Sequence, residues 1–67
     1  MLKGVVSAFD DQRGDGWLRV DNGEMFYFHC VEIADGTRNI AVGVEVQATR
    51  LLGHLGVDEA ARLRVVD

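Results

Sequence analysis

The chain has no proline, a single cysteine and too few cations to balance its acids: seven Lys and Arg stand against eleven Asp and Glu, a formal net charge of -4. Without proline, glycine is the only abundant breaker, with eight residues. The lone Cys30 rules out an internal disulfide and every multi-cysteine zinc motif, and it fits a reducing compartment. No apolar run is long enough to cross a bilayer as a helix, and the N-terminus enters a strand pattern at once rather than the apolar segment of a signal peptide. A cytoplasmic location with no membrane partner is therefore expected. The acidic balance argues against a domain that relies on phosphate attraction over its whole surface. It does not exclude nucleic acid, because a local face can be basic on an acidic domain and base stacking needs no positive charge. Phe, Trp and Tyr are scarce as well: Phe9, Trp17, Phe26, Tyr27 and Phe28 are all there are.

What is present suits a small folded domain. At 67 residues and 48% hydrophobic, the chain has room for one domain spanning residues 1–67. Chains of this size bury roughly 60% of their unfolded surface, so the core is thin. Stability of a few kcal/mol is expected. Four of the five aromatic residues fall between Arg13 and His29, in RGDGWLRVDNGEMFYFH. After Gly16, Trp17 and Arg19 alternate with Leu18 and Val20; from Met25, Tyr27 and His29 alternate with Phe26 and Phe28. A period of two is the signature of half-buried strands, so this stretch reads as a hairpin.

The turn fixes its register. A two-residue turn at Asn22-Gly23 would set Leu18 opposite Tyr27 and Trp17 opposite Phe28, leaving no clean core face. A three-residue loop, Asp21-Asn22-Gly23 with the glycine at the left-handed bulge position, pairs Leu18 with Phe26 and Trp17 with Tyr27. The three-residue loop is preferred. It separates an apolar face from an outward face carrying Asp15, Trp17, Arg19, Tyr27 and His29.

Three further strands are expected. Leu2 to Phe9 reads as the first, with Val6 inward and Gly4 at a bend. Asp10 to Asp15 is a polar connection in which Gly14 and Gly16 let the backbone turn. Val31 to Ile33 reads as a short helical turn with Ile33 as a core plug, followed by turn-formers from Ala34 to Asn39. Ile40 and Val42 are expected to re-enter the core before a turn at Gly43. Val44 to Leu52 alternates as a strand until its phase slips at Arg50 and Leu51, which a bulge or exposure past the core edge would explain. Gly53 to Gly56 reads as a turn that Val57 to Glu59 continues. Ala61 to Val66 reads as the last strand, with Leu63 and Val65 inward, in preference to a helix capped by Asp58. Five short strands cannot form two full sheets, and closure into a barrel removes aggregation-prone edges. The expected fold is all-β, a five-stranded antiparallel OB-type barrel, with an SH3-like barrel as the rival.

In order and spacing the chain resembles the cold-shock domain family over nearly its whole length. That family opens with a Gly-x-Val-x-x-Phe strand, matched by Gly4, Val6 and Phe9. Its first ribonucleoprotein motif has the form Lys-Gly-Phe-Gly-Phe-Ile, and Arg13-Gly14-Asp15-Gly16-Trp17-Leu18 is similar to it. Its other ribonucleoprotein motif has the form Val-Phe-Val-His-Phe, and Phe26-Tyr27-Phe28-His29-Cys30 resembles that. Ile33, Gly43, Gly53 and Gly56 also sit at positions usual in the family. The resemblance implies a bacterial cold-shock-like protein that binds single-stranded RNA or DNA, with bases stacked on the second and third strands. RNA chaperone activity or modulation of transcription or translation would follow from trapping unpaired bases.

Several family aromatics are replaced, by Ala8, Asp15 and Cys30. Trp17, Tyr27, His29 and Phe9 remain as stacking surfaces, with Arg13, Arg19 and Arg38 as candidate phosphate contacts. A base stacked on an aromatic platform is worth roughly 1 to 3 kcal/mol, so three lost platforms imply weakened or altered affinity. Asp10, Asp11 and Asp15 add repulsion for phosphates. No nucleophile with its base, no paired catalytic carboxylates and no phosphate loop can be assembled, so neither an enzyme nor a cofactor is expected. No metal site is expected either, because only Cys30 and His54 could join His29 and neither has ligand spacing. The competing expectation is a protein-interaction or self-associating module, monomeric or weakly dimeric, whose acidic balance serves solubility.

Overall fold

The computed structural model describes residues 1–53 and 58–66. Five strands close into a barrel: β1 (Leu2–Asp10), β2 (Asp15–Val20), β3 (Met25–His29), β4 (Glu45–Leu52) and β5 (Asp58–Val65), with a 3-10 turn at Cys30–Glu32 after β3. Around the barrel the order is β1-β2-β3-β5-β4. Among the described residues no helix is long and apolar enough to cross a membrane.

The sheet is mixed, which corrects the expectation of an antiparallel barrel. Four of its seams are antiparallel and the fifth, β3 to β5, is parallel through the pair Tyr27 and Glu59. The cause is arithmetic. Strand direction can alternate around a closed ring only if the number of strands is even, so a ring of five must have one seam where neighbours run the same way. Here that seam is the one between strands separated by the 3-10 turn, the loop after it and β4.

The hairpin has the expected register. Leu18 faces Phe26 and Trp17 faces Tyr27, and the loop Asp21 to Gly23 is closed by the Val20 amide donating to the Glu24 carbonyl at 3.0 Å. Gly23 takes φ +90°, a left-handed conformation that a side chain would strain. The 3-10 turn lies where a helical turn was expected, and Ile33 behind it is buried.

The core is made by Val6, Leu18, Phe26, Phe28, Ile33, Ile40, Val46, Ala48, Ala60 and Leu63. Two residues expected inside are exposed. Val42 is 62% exposed because it lies in the turn before Gly43, which leaves Ile40 alone as the plug from that segment. Val65 keeps the inward phase of Leu63, opposite the buried Val46, but it is the last residue of β5 and is 49% exposed there. Between the pairs Gln47 with Arg64 and Thr49 with Ala61, β5 spends two residues against one in β4, and the extra turn of backbone is taken by Arg62 at φ 54°. β5 also begins earlier than expected, so Asp58 and Glu59 belong to the strand and not to the preceding loop. The remainder of that loop, His54 to Val57, lies outside the described residues.

The phase slip in β4 has a physical explanation. Arg50 keeps the inward phase of Val46 and Ala48, and its guanidinium lies 5.9 Å from the centre of the Phe26 ring. It also pairs with Asp58 at 2.6 Å. A cation over an aromatic face, its side chain 57% exposed, stands where an apolar side chain was due. Leu51 is thereby turned outward.

Candidate functional site

Cross-strand pairing decides which of the candidate residues share a face. Trp17 pairs with Ala8 on β1 and with Tyr27 on β3; Tyr27 in turn pairs with Glu59 on β5, and Glu59 with Leu51 on β4. Directly opposed residues project to one side of a sheet, so this row crosses the outer surface of the barrel. Another row runs beside it: Asp10, Asp15 and His29. Trp17, Tyr27 and His29 thus come together as expected. The Trp17 and Tyr27 rings meet edge-on at 5.5 Å and 71°, and the Tyr27 and His29 rings at 5.0 Å and 86°. Edge-to-face is a favoured arrangement of aromatic pairs; Trp17 and Tyr27 remain partly exposed in it and His29 exposed.

Phe9 is placed differently. It pairs with Gly16, which pairs with Phe28, and because glycine has no side chain the Phe9 and Phe28 rings lie nearly parallel across it, 6.0 Å apart at 11°. Phe28 is fully buried and Phe9 is half-buried against the core. Phe9 therefore belongs to the inward row beneath the outer face. Gly16 was expected to serve a turn, but its role is close approach. A Cβ there would sit 2.4 Å from the Ala8 carbonyl oxygen and 2.9 Å from Phe28 Cζ. Gly14, at φ +76°, is the residue that turns.

The main departure from the sequence-based expectation concerns Asp15. Its side chain is only 13% exposed, and both carboxylate oxygens are engaged. The Tyr27 hydroxyl donates to Oδ2 at 2.6 Å, while Arg13 donates to Oδ1 from Nε at 3.1 Å and from Nη2 at 2.9 Å. Arg13 also lies 3.9 Å from Asp10. Two carboxylates on directly opposed residues repel each other, and a guanidinium between them offsets the repulsion. The Tyr27 hydroxyl and then Arg13 lower the Asp15 carboxyl below its ordinary range. The same hydrogen bond, with burial second, raises the Tyr27 phenol above its ordinary value, and Asp15 raises Arg13. The carboxylate is thus anionic at neutral pH, and it clamps the central aromatic side chain of the face.

The cations are distributed unevenly. Arg13 is 67% exposed but occupied by Asp15. Arg19 is exposed on β2, between Val5 and Met25, and takes part in no ion pair among the described residues. Arg38 lies in the loop after Ile33, at φ 58°, where Asp35 accepts from the Thr37 amide and hydroxyl. No hydrogen bond or ion pair among the described residues brings Arg38 to the aromatic rows. Glu59 and Leu51 were missed by sequence reasoning, because only the parallel seam brings them to Tyr27 and no local pattern announces a non-local pairing. Among the described residues no group of three or more His, Cys, Asp or Glu is placed to hold a metal ion. No family model matches the chain, and no curated protein matches it.

Proposed function

We propose that the chain is a cold-shock-like OB barrel that binds single-stranded RNA or DNA on the outer face of β2 and β3, with lower affinity than a fully aromatic face would give. The observation that carries this reading is the contiguous set Trp17, Tyr27 and His29, held edge to face on adjacent strands. Each ring is a sequence-tolerant platform, and a strand of unpaired bases is the ligand that uses several platforms in a row. In this reading Arg19 meets phosphates, Arg13 joins it when it leaves Asp15, and Arg38 is a further phosphate contact offered by its loop. Phe9 supports the platform from the inward side. Trapping unpaired bases would let such a protein act as an RNA chaperone or modulate transcription or translation in the cytoplasm, as a monomer or a weak dimer.

An alternative function, as a protein-interaction or self-associating module, is favoured by Leu51, 47% exposed on the same outer row, and by Leu52, 88% exposed beside it. One titration separates the two. The fluorescence of Trp17, the only tryptophan, is followed as oligo-dT and oligo-U are added at two salt concentrations. Saturable quenching that weakens with salt supports strand binding. A flat signal at high micromolar ligand, with a dimer on a sizing column, sinks it in favour of the interaction module.

A further inference from the structure

We infer that Asp15 reads base edges, so that the face prefers a strand containing guanine over one of thymine or uracil alone. This inference rests on the strand-binding function above and specifies its ligand. Asp15 is opposed to His29 across β2 and β3 and lies two residues from Trp17 on its own strand. Side chains so opposed have Cβ atoms roughly 5 Å apart. A base stacked on either ring presents its edge to the carboxylate.

The chemistry of that edge decides what is tolerated. A carboxylate only accepts hydrogen bonds, with about two sites on each oxygen. Tyr27 occupies one site on Oδ2, and Arg13 places two donors on Oδ1. Guanine offers two neighbouring donors on its Watson-Crick edge, the N1–H and the N2 amino group, a fork of the kind that matches two carboxylate oxygens. It takes over Oδ1 from Arg13 and uses the remaining site on Oδ2, leaving the Tyr27 hydrogen bond in place. Arg13 is the more exposed partner, its side chain 67% open against 13% for Asp15, so it is the group that swings away to the phosphates when the base supplies two donors in its place. Base reading and phosphate binding are thereby coupled through one side chain. Thymine and uracil offer a single N3–H between two carbonyl oxygens, which face the carboxylate with like charge. Adenine offers one amino donor beside the N1 acceptor and is similarly disfavoured.

The test uses the full chain and four heptamers, dT7 and the same strand with a central guanine, inosine or adenine, titrated by Trp17 fluorescence. The guanine strand is expected to bind about tenfold tighter than dT7, as one bidentate base contact would give. Inosine, which keeps N1–H but lacks the amino group, is expected between them. Adenine, which stacks as a purine does, is expected to gain no such advantage. Asp15→Ala should bring the four strands within about twofold of one another. The inosine arm alters only the ligand, so the comparison stands even if that variant folds poorly. Guanine and thymine strands that bind saturably but within twofold of each other would overturn the inference and leave strand binding intact. A guanine preference that survives in a folded Asp15→Ala protein would do the same. Absence of saturable binding to all four strands would overturn both.

Discussion

The Tyr27 hydroxyl donates to Asp15 Oδ2 at 2.6 Å, joining the central aromatic of one strand to a carboxylate on its neighbour. The bond favours a neutral phenol and a charged carboxylate. Tyr27 is raised above its ordinary value near 10, so its contribution is complete below about pH 10 and lost as pH climbs through the higher folded value. Asp15 is lowered, so its contribution is present above the ordinary carboxylate range near 3.9 and lost as pH falls through the lower folded value. The chain has one tyrosine, so its ionisation can be read directly from ultraviolet absorbance. A midpoint above the ordinary phenol value is predicted, returning toward it in Asp15→Ala. An ordinary midpoint in the native chain would mean that the hydrogen bond does not form in solution.

Gly16 separates Phe9 from Phe28, and the space it leaves is already used. A Cβ 2.4 Å from the Ala8 carbonyl oxygen meets backbone, which cannot rotate away. Gly16→Ala is therefore expected to cost at least the roughly 1 to 3 kcal/mol typical of overpacking. In a chain with only a few kcal/mol to lose, that is a large fraction. Urea denaturation followed by Trp17 fluorescence should show the midpoint falling sharply. An unchanged midpoint would mean that β1 and β2 do not approach this closely at Gly16 in solution.

Trp17 and Phe28 are near neighbours in sequence register but belong to opposite faces, and truncating each should have opposite consequences. Phe28 is fully buried, and Phe28→Ala is expected to cost about 3 to 5 kcal/mol, enough to unfold most of the population. Trp17→Ala leaves the core intact and removes one platform, worth roughly 1 to 3 kcal/mol of binding. Circular dichroism should show Trp17→Ala folded and Phe28→Ala largely not, with strand affinity of the former down about tenfold or more by fluorescence anisotropy of a labelled strand. Equal loss of structure in both would place Trp17 in the core and remove it from the face.

The hairpin was legible in the sequence because everything that sets it is local. Alternation separates Leu18, Phe26 and Phe28 from Trp17, Tyr27 and His29, and Gly23 fixes the register of the loop between them. What escaped depends on residues far apart in the chain. The inward place of Arg50 needs Phe26 beneath it and Asp58 beside it. The burial of neighbouring Ala60 and Ala61 goes with a bulge in β5 that is defined only against β4. Glu59 and Leu51 join the outer face through a seam whose parallel direction is forced by closure of five strands. Asp15 is the clearest case. In the sequence it is a repulsive charge between glycines, and only the pairing of β2 with β3 gives it Tyr27 as a donor.

The claim on which the rest depends is that single strands lie across Trp17, Tyr27 and His29. Amide chemical-shift mapping of the labelled chain during titration with a short single strand tests it residue by residue. Progressive, saturable shifts are predicted in Asp15–Val20 and Met25–His29, with Arg13 and Arg19 among those moved and the amides around Val42 still. Shifts confined to Leu51, Leu52 and their surroundings, or none at saturating strand, would contradict it.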